Sequence, residues 1–126
     1  MKTYNIQMFP TPAPMNANIN GPAMQLKYMF GYSIQAEFTA TPTGTLSLQG
    51  SADPEEMGPP VAIGDPNYQP KNWTTILNSP QTISTSGSYL WNVSDVQYNW
   101  VRLVYVDSSG GTSTATLAAT FNGKGI

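Results

Sequence analysis

The stretch from Tyr98 to Asp107 constrains the fold most, because it is the longest run of strand-favouring residues and turn-forming residues bound it on both sides. A strand sends successive side chains to opposite faces. Val101, Leu103 and Tyr105 therefore share one side, and Trp100, Arg102, Val104 and Val106 share the other. Both sides are largely apolar. In a two-layer β protein one face packs on the opposing sheet and the other ordinarily meets water. The Trp100, Val104 and Val106 side therefore calls for cover from a tail, a loop or a second subunit.

The remaining pattern is also of strands. Tyr4, Ile6 and Met8 alternate with Asn5 and Gln7, after which Pro10, Pro12 and Pro14 forbid regular internal pairing. Residues 1–24 read as an extended proline-rich arm that lays Met8, Phe9, Met15, Ile19 and Met24 into shallow pockets of a partner; the alternative is a loose linker. Residues 25–126 read as one β domain. Tyr32, Ile34, Ala36, Phe38 and Ala40 alternate with polar residues, and Leu46 and Leu48 do the same after the turn at Thr41 to Gly44, which predicts an antiparallel hairpin. Ser51 to Asn72 is a long irregular stretch punctuated by prolines. Beyond it, Trp73 to Leu77 and Gln81 to Ser84 resume strand character, and Tyr89, Trp91 and Val93 share one face. Ser108 to Gly111 forms a tip from which the last strand, with Ala115, Leu117, Ala119 and Phe121 on one face, is expected to return against Tyr98 to Asp107. About eight or nine short strands with no helical periodicity predict an all-β, antiparallel, jelly-roll-like β-sandwich.

Composition narrows the chemistry. At 126 residues the chain suits one domain. A net charge of −2 with only 10% charged residues gives no basic footprint for nucleic acid, and suits a protein that lives in an assembly. The absence of histidine and cysteine removes His-based general bases, disulfides and Cys-type zinc sites. No apolar run approaches the roughly 18 residues of a membrane helix, so neither a secretion signal nor a membrane span is expected.

Among candidate sites, Asp53, Glu55 and Glu56, with Asp65, are paired carboxylates of the sort that hydrolyse glycosidic bonds. On a proline-rich loop they lack the desolvated setting that separates two carboxyl pKa values, so a solvated loop is the plainer reading. The same oxygens with Asn67 match no ordered calcium loop. Arg102 needs water, a carboxylate such as Asp95, or an aromatic ring to stack on, and is otherwise a contact for a partner's acidic group or a sugar hydroxyl. Trp73, Trp91 and Trp100 are either core, each stabilising by roughly 3 kcal/mol, or a sugar-stacking platform. The sequons Asn72-Trp73-Thr74 and Asn92-Val93-Ser94 read as chance without a signal peptide.

Several stretches together, Gly44 to Pro54, Asn72-Trp73-Thr74, Ser88 to Val93, Trp100 to Tyr105 and Phe121 to Gly125, resemble small β-sandwich virion proteins of tailed bacteriophages. The resemblance implies a capsid-associated decoration or cement protein that binds major capsid subunits or other virion proteins and sits on the phage head. It implies no catalytic residues, cofactor or metal. Low charge and the arm suit a homo-oligomer, a trimer by preference, with Trp100 and Arg102 joining the arm in its contacts. Deleting residues 1–24 is then expected to leave the sandwich folded and abolish attachment. The competing reading is a carbohydrate-binding or receptor-recognition module of a fibre or tail, using the loop from Ser51 to Asn72 and exposed aromatics.

Overall fold

Alternating burial along residues 32–38 and 116–125, and burial on both faces over much of 44–51 and 100–105, builds two antiparallel sheets that pack face to face as a β-sandwich. The computed structural model describes residues 2–54 and 69–125. In chain order the strands are β1 (Lys2–Gln7), β2 (Ala13–Pro14), β3 (Ile19–Asn20), β4 (Met24–Gln25), β5 (Met29–Phe38), β6 (Gly44–Ser51), β7 (Thr74–Thr75), β8 (Gln81–Ile83), β9 (Gly87–Ser94), β10 (Trp100–Asp107) and β11 (Thr116–Gly125). There is no helix among the described residues. The first sheet runs β1-β11-β5-β9, with β2 following β1 along β11; the second runs β3-β10-β6-β7, with β4 also on β10 and β8 also on β6.

The core lies between them. Tyr32, Ile34 and Phe38 of β5, Leu117 and Phe121 of β11, and Trp91 of β9 belong to the same buried cluster as Leu46, Leu48, Val101, Leu103 and Tyr105 of the second sheet. Each such side chain stabilises the fold by about 1.5–3 kcal/mol. The polar tips are satisfied: the Tyr105 hydroxyl donates to the Thr43 carbonyl at 3.0 Å and the Trp91 indole N–H to the Ser79 carbonyl at 2.9 Å.

Two pairings expected from the sequence are corrected. β5 and β6 are not a hairpin, because β5 pairs with β11 and β9 while β6 pairs with β10. Their linker is a corner between sheets, with Ala40 at a φ of 56° and Pro42 buried. Each strand has one apolar face, and crossing between layers sets those faces against each other. Likewise β11 does not return against β10. One edge of β10 is taken by β6 over its whole length and the other by β3 and β4, so β11 crosses to the first sheet.

The leading segment is corrected too. Instead of an arm preceding a domain at residue 25, it supplies an edge of each sheet. β1 runs along residues 120–125 of β11, and the Met8 and Met15 amides continue the ladder to the Ala119 and Ala115 carbonyls at 2.8 and 3.0 Å. The chain then passes to the second sheet, where the Gly21 and Leu26 amides reach the Leu103 and Asn99 carbonyls at 2.7 and 2.8 Å. Pro10, Pro12, Pro14 and Pro22 are compatible with this course because an edge strand has only one side to pair. Met8 is 4% exposed and Met15 0%, so both are core residues of their own chain and not contacts for a partner. Phe9, Ile19 and Met24 are half-buried against that core.

The outer side of β10 is covered within the single chain over most of its length. Trp100 and Val104 are 8% and 7% exposed, and only Val106, at 47%, faces solvent. The doubly apolar strand therefore does not by itself demand a second subunit.

Candidate interaction surfaces

Arg102 uses the stacking solution to its burial problem. Its Nε and Nη2 both donate to Gln49 Oε1, at 2.9 and 2.7 Å, and its guanidinium carbon lies 4.4 Å from the centre of the Trp73 ring. Gln49 faces Arg102 directly across the β6–β10 ladder, which is why one carbonyl oxygen takes both bonds. Burial pulls the guanidinium below its ordinary pKa, far from any physiological change of charge. Asp95 is an exposed turn residue at a φ of 56°. Trp100 donates through Nε1 to the Pro54 carbonyl at 3.3 Å. Of the three tryptophans, Trp91 is a core residue, Trp100 is buried on the outer side of β10, and Trp73 is the half-buried lid of Arg102.

Of the acidic group, only Asp53 lies within the described residues; Glu55, Glu56, Asp65 and Asn67 lie outside them. Asp53 accepts from the backbone amides of Lys71 and Asn72 at 2.6 and 2.9 Å and from Asn72 Nδ2 at 2.9 Å. These donors, the Asn72 side chain foremost, hold its carboxyl below 3.8. Asp53 is thus a tie between the two ends of the long loop. Beside it opens a cleft of about 570 Å³ lined by Ser51, Asn72, Thr74, Ile76 and Tyr98, the Tyr98 ring lying on Gly50. Among the described residues no three His, Cys, Asp or Glu side chains come together to hold a metal.

The tie makes a pH prediction. A carboxyl whose pKa is lowered on folding contributes stability that is present above about 3.8 and lost as pH falls through its lower folded value. Protection of the Lys71 and Asn72 amides, taken relative to the intrinsic exchange rate at each pH, should therefore be high near pH 5 and fall as the carboxyl protonates below 3.8, and Asp53→Ala should show the low protection at every pH. Equal protection in wild type and variant would remove the tie.

The sheet edges are treated unequally. The second sheet is guarded, by the proline-bearing segment on one side and by the two- and three-residue strands β7 and β8 on the other. The first sheet is guarded less. β9 is eight residues long with neither proline nor charge, and its Leu90 is 53% exposed. β1, at the opposite edge, is free of proline, though its sequence includes Lys2 and the proline-bearing β2 continues that edge, and it exposes Ile6 at 45% and Tyr4 at 36%. Tyr4 points to the core side of its strand, yet little lies over it: its ring flanks Gly125 beside the exposed Tyr28. Sequence reading named none of these residues as contacts. β9 was legible as a strand, but edge status is a property of sheet order, which no local pattern encodes.

Protein-family models, curated proteins and solved structures yield no match to this chain.

Proposed function

We propose that the chain is a structural subunit of a tailed-phage virion, a capsid-associated decoration or cement protein that stabilises the head by binding major capsid subunits or other virion proteins. In this reading it is not an enzyme and needs no cofactor, and its place is on the shell. The observation that supports it is the first sheet's edges, β9 free of charge and proline and β1 free of proline. A protein that stays monomeric blunts such edges with charge, proline or short strands, because a row of unpaired backbone groups is a template for another chain. β1 and β9 lie at opposite ends of one sheet, so β1 of one copy meeting β9 of the next is a heterologous contact, which closes into a ring when the rotation permits. A trimer is the ring expected.

The test is mass in solution followed by shell occupancy. The wild type should sediment as an oligomer at micromolar concentration, and Leu90→Lys or Ile6→Lys should sediment as a folded monomer. Leu90 is 53% exposed on the outer face opposite Gln35, so its lysine charges an edge at little cost to folding; Ile6, 45% exposed, stands on the core side opposite Phe121, so circular dichroism must show that its variant is folded before its mass is read. A wild type that stays monomeric, or variants that assemble as it does, would overturn edge pairing. Decoration would then be read from occupancy on purified shells, where the lysine variants should fall at least about tenfold through lost multivalency.

A further inference from the structure

The outer face of the first sheet is laid out in register. Asn92, Ser33, Asn122 and Asn5 stand side by side across β9, β5, β11 and β1. In the next row Gly31 lies between Ser94 and Lys124. Because Gly31 and Ser33 are small, the central strand lies low and its two neighbours rise as walls. The floor is kept open by a backbone contact: a Cβ at Gly31 would come 2.9 Å from the Val93 carbonyl oxygen. The resulting trough holds about 210 Å³, and Phe30, 48% exposed, also lines it.

The groups around this trough suit one chemistry. Asn92 and Asn122 face each other across it, each amide offering two donors and a carbonyl acceptor, and Ser33 and Ser94 add hydroxyls that both donate and accept. Neighbouring hydroxyls of a sugar need such mixed partners. An apolar ligand would strand those amides, and a phosphate would want more than the single cation, Lys124, that lines the trough. Lys124 donates to Thr3 Oγ1 at 3.0 Å, which leaves two of its three protons. The exposed Phe30 ring supplies an apolar surface for the C–H face of a pyranose. Pockets for drug-sized ligands run from roughly 300 to 1,000 Å³, so this one takes a single ring with the rest of a chain running along the sheet.

We propose that the trough between Asn92 and Asn122 is a saccharide site that takes one pyranose ring of a glycan, with the two asparagines on its hydroxyls and Phe30 on its C–H face. A single shallow site binds weakly, with a Kd of about 1 mM. Repetition around an assembly raises that to useful avidity, although the site exists on one chain and does not depend on assembly.

The experiment is an NMR titration of the full chain, ¹⁵N-labelled, with maltotriose, chitotriose and tri-galacturonate, each to roughly 20 mM, well above a millimolar Kd. At least one should shift amides 30–33, 92–94 and 122–124 together. Phe30→Ala and Asn122→Ala should each weaken that binding about tenfold, while Asn72→Ala, in the cleft beside Asp53, should leave it unchanged. Asn92 is exposed, so Asn92→Ala gives the same reading should either variant fail to fold. Absence of shifts with all three probes would overturn the proposal. So would shifts centred on Trp73 and Arg102, or wild-type affinity in the folded trough variants.

Discussion

A chain that starts at residue 21 will not fold. It lacks Met8 and Met15, which are 4% and 0% exposed in the core, and it strips the paired strand from β11 and part of that from β10. Emptying one buried methionine site costs about 2–5 kcal/mol, so losing two approaches the 5–15 kcal/mol that holds a whole domain together. The bared β11 edge adds unpaired amides facing a hydrophobic slot. Far-ultraviolet circular dichroism and amide NMR dispersion should show an unfolded or aggregated chain. Met15→Ala alone should keep the fold and lower Tm by roughly 10 °C. A truncated chain with native dispersion would mean that the leading segment is an appendage, as its prolines first suggest. Attachment to a shell must therefore be probed by substitution at the edges and not by removing residues 1–24.

Alkali will weaken this protein through its tyrosines. Tyr32 is 2% exposed, stacks on Phe121 with ring centres 5.8 Å apart, and holds its hydroxyl 2.6 Å from that of Tyr98. Burial, and then the bond to Tyr98, push its pKa far above the ordinary 10.0. Burial raises Tyr98 as well, and raises Tyr105 with help from the nearby Asp107 charge. A group whose pKa is raised on folding contributes stability that is whole below its unfolded value and lost as pH climbs toward the folded one. The loss therefore starts near pH 10 and runs at up to about 1.4 kcal/mol per pH unit for each phenol. Urea unfolding between about pH 8 and pH 11.5 should show the decline. Tyr32→Phe should be less stable by about 1 kcal/mol at pH 8, through the lost hydrogen bond, and should decline less steeply above pH 10. Parallel decline in the two proteins would assign the alkaline transition to other groups.

Much of the fold was legible along the chain, element by element. Alternation in Tyr32 to Phe38, in Tyr89 to Val93 and in Val101 to Tyr105 marks their buried faces correctly, because a strand's two-residue period is local and burial writes it into the side chains. The turns were legible for the same reason: Gly110 and Gly111 take φ values of 70° and 87° at the tip between β10 and β11. The partners of those strands were not. A corner between sheets and a hairpin turn both read as a few polar residues with proline or glycine, and only the packing of two apolar faces distinguishes them. That Arg102 needs water, a carboxylate or an aromatic ring could be stated from its apolar neighbours, but that Gln49 and the Trp73 ring meet the need depends on how residues far apart in sequence converge. The surfaces proposed for function were the least visible. The polar alternates Ser33, Asn92 and Asn122 belong to three separate strands, and register alone places them in one row.

The sequence by itself determined that this is a protein of short antiparallel strands, which residues of its longer alternating strands face inward, and that no histidine or cysteine of this chain takes part in its chemistry. Tertiary structure decided the order of strands in each sheet, the conversion of a proline-rich arm into the edge of both sheets, and which edges stay open. The division is physical. Side-chain alternation and turn formation are settled within a few residues, whereas pairing order and edge exposure arise from contacts distant in the chain, where many partners satisfy the same local pattern and the shared core selects among them.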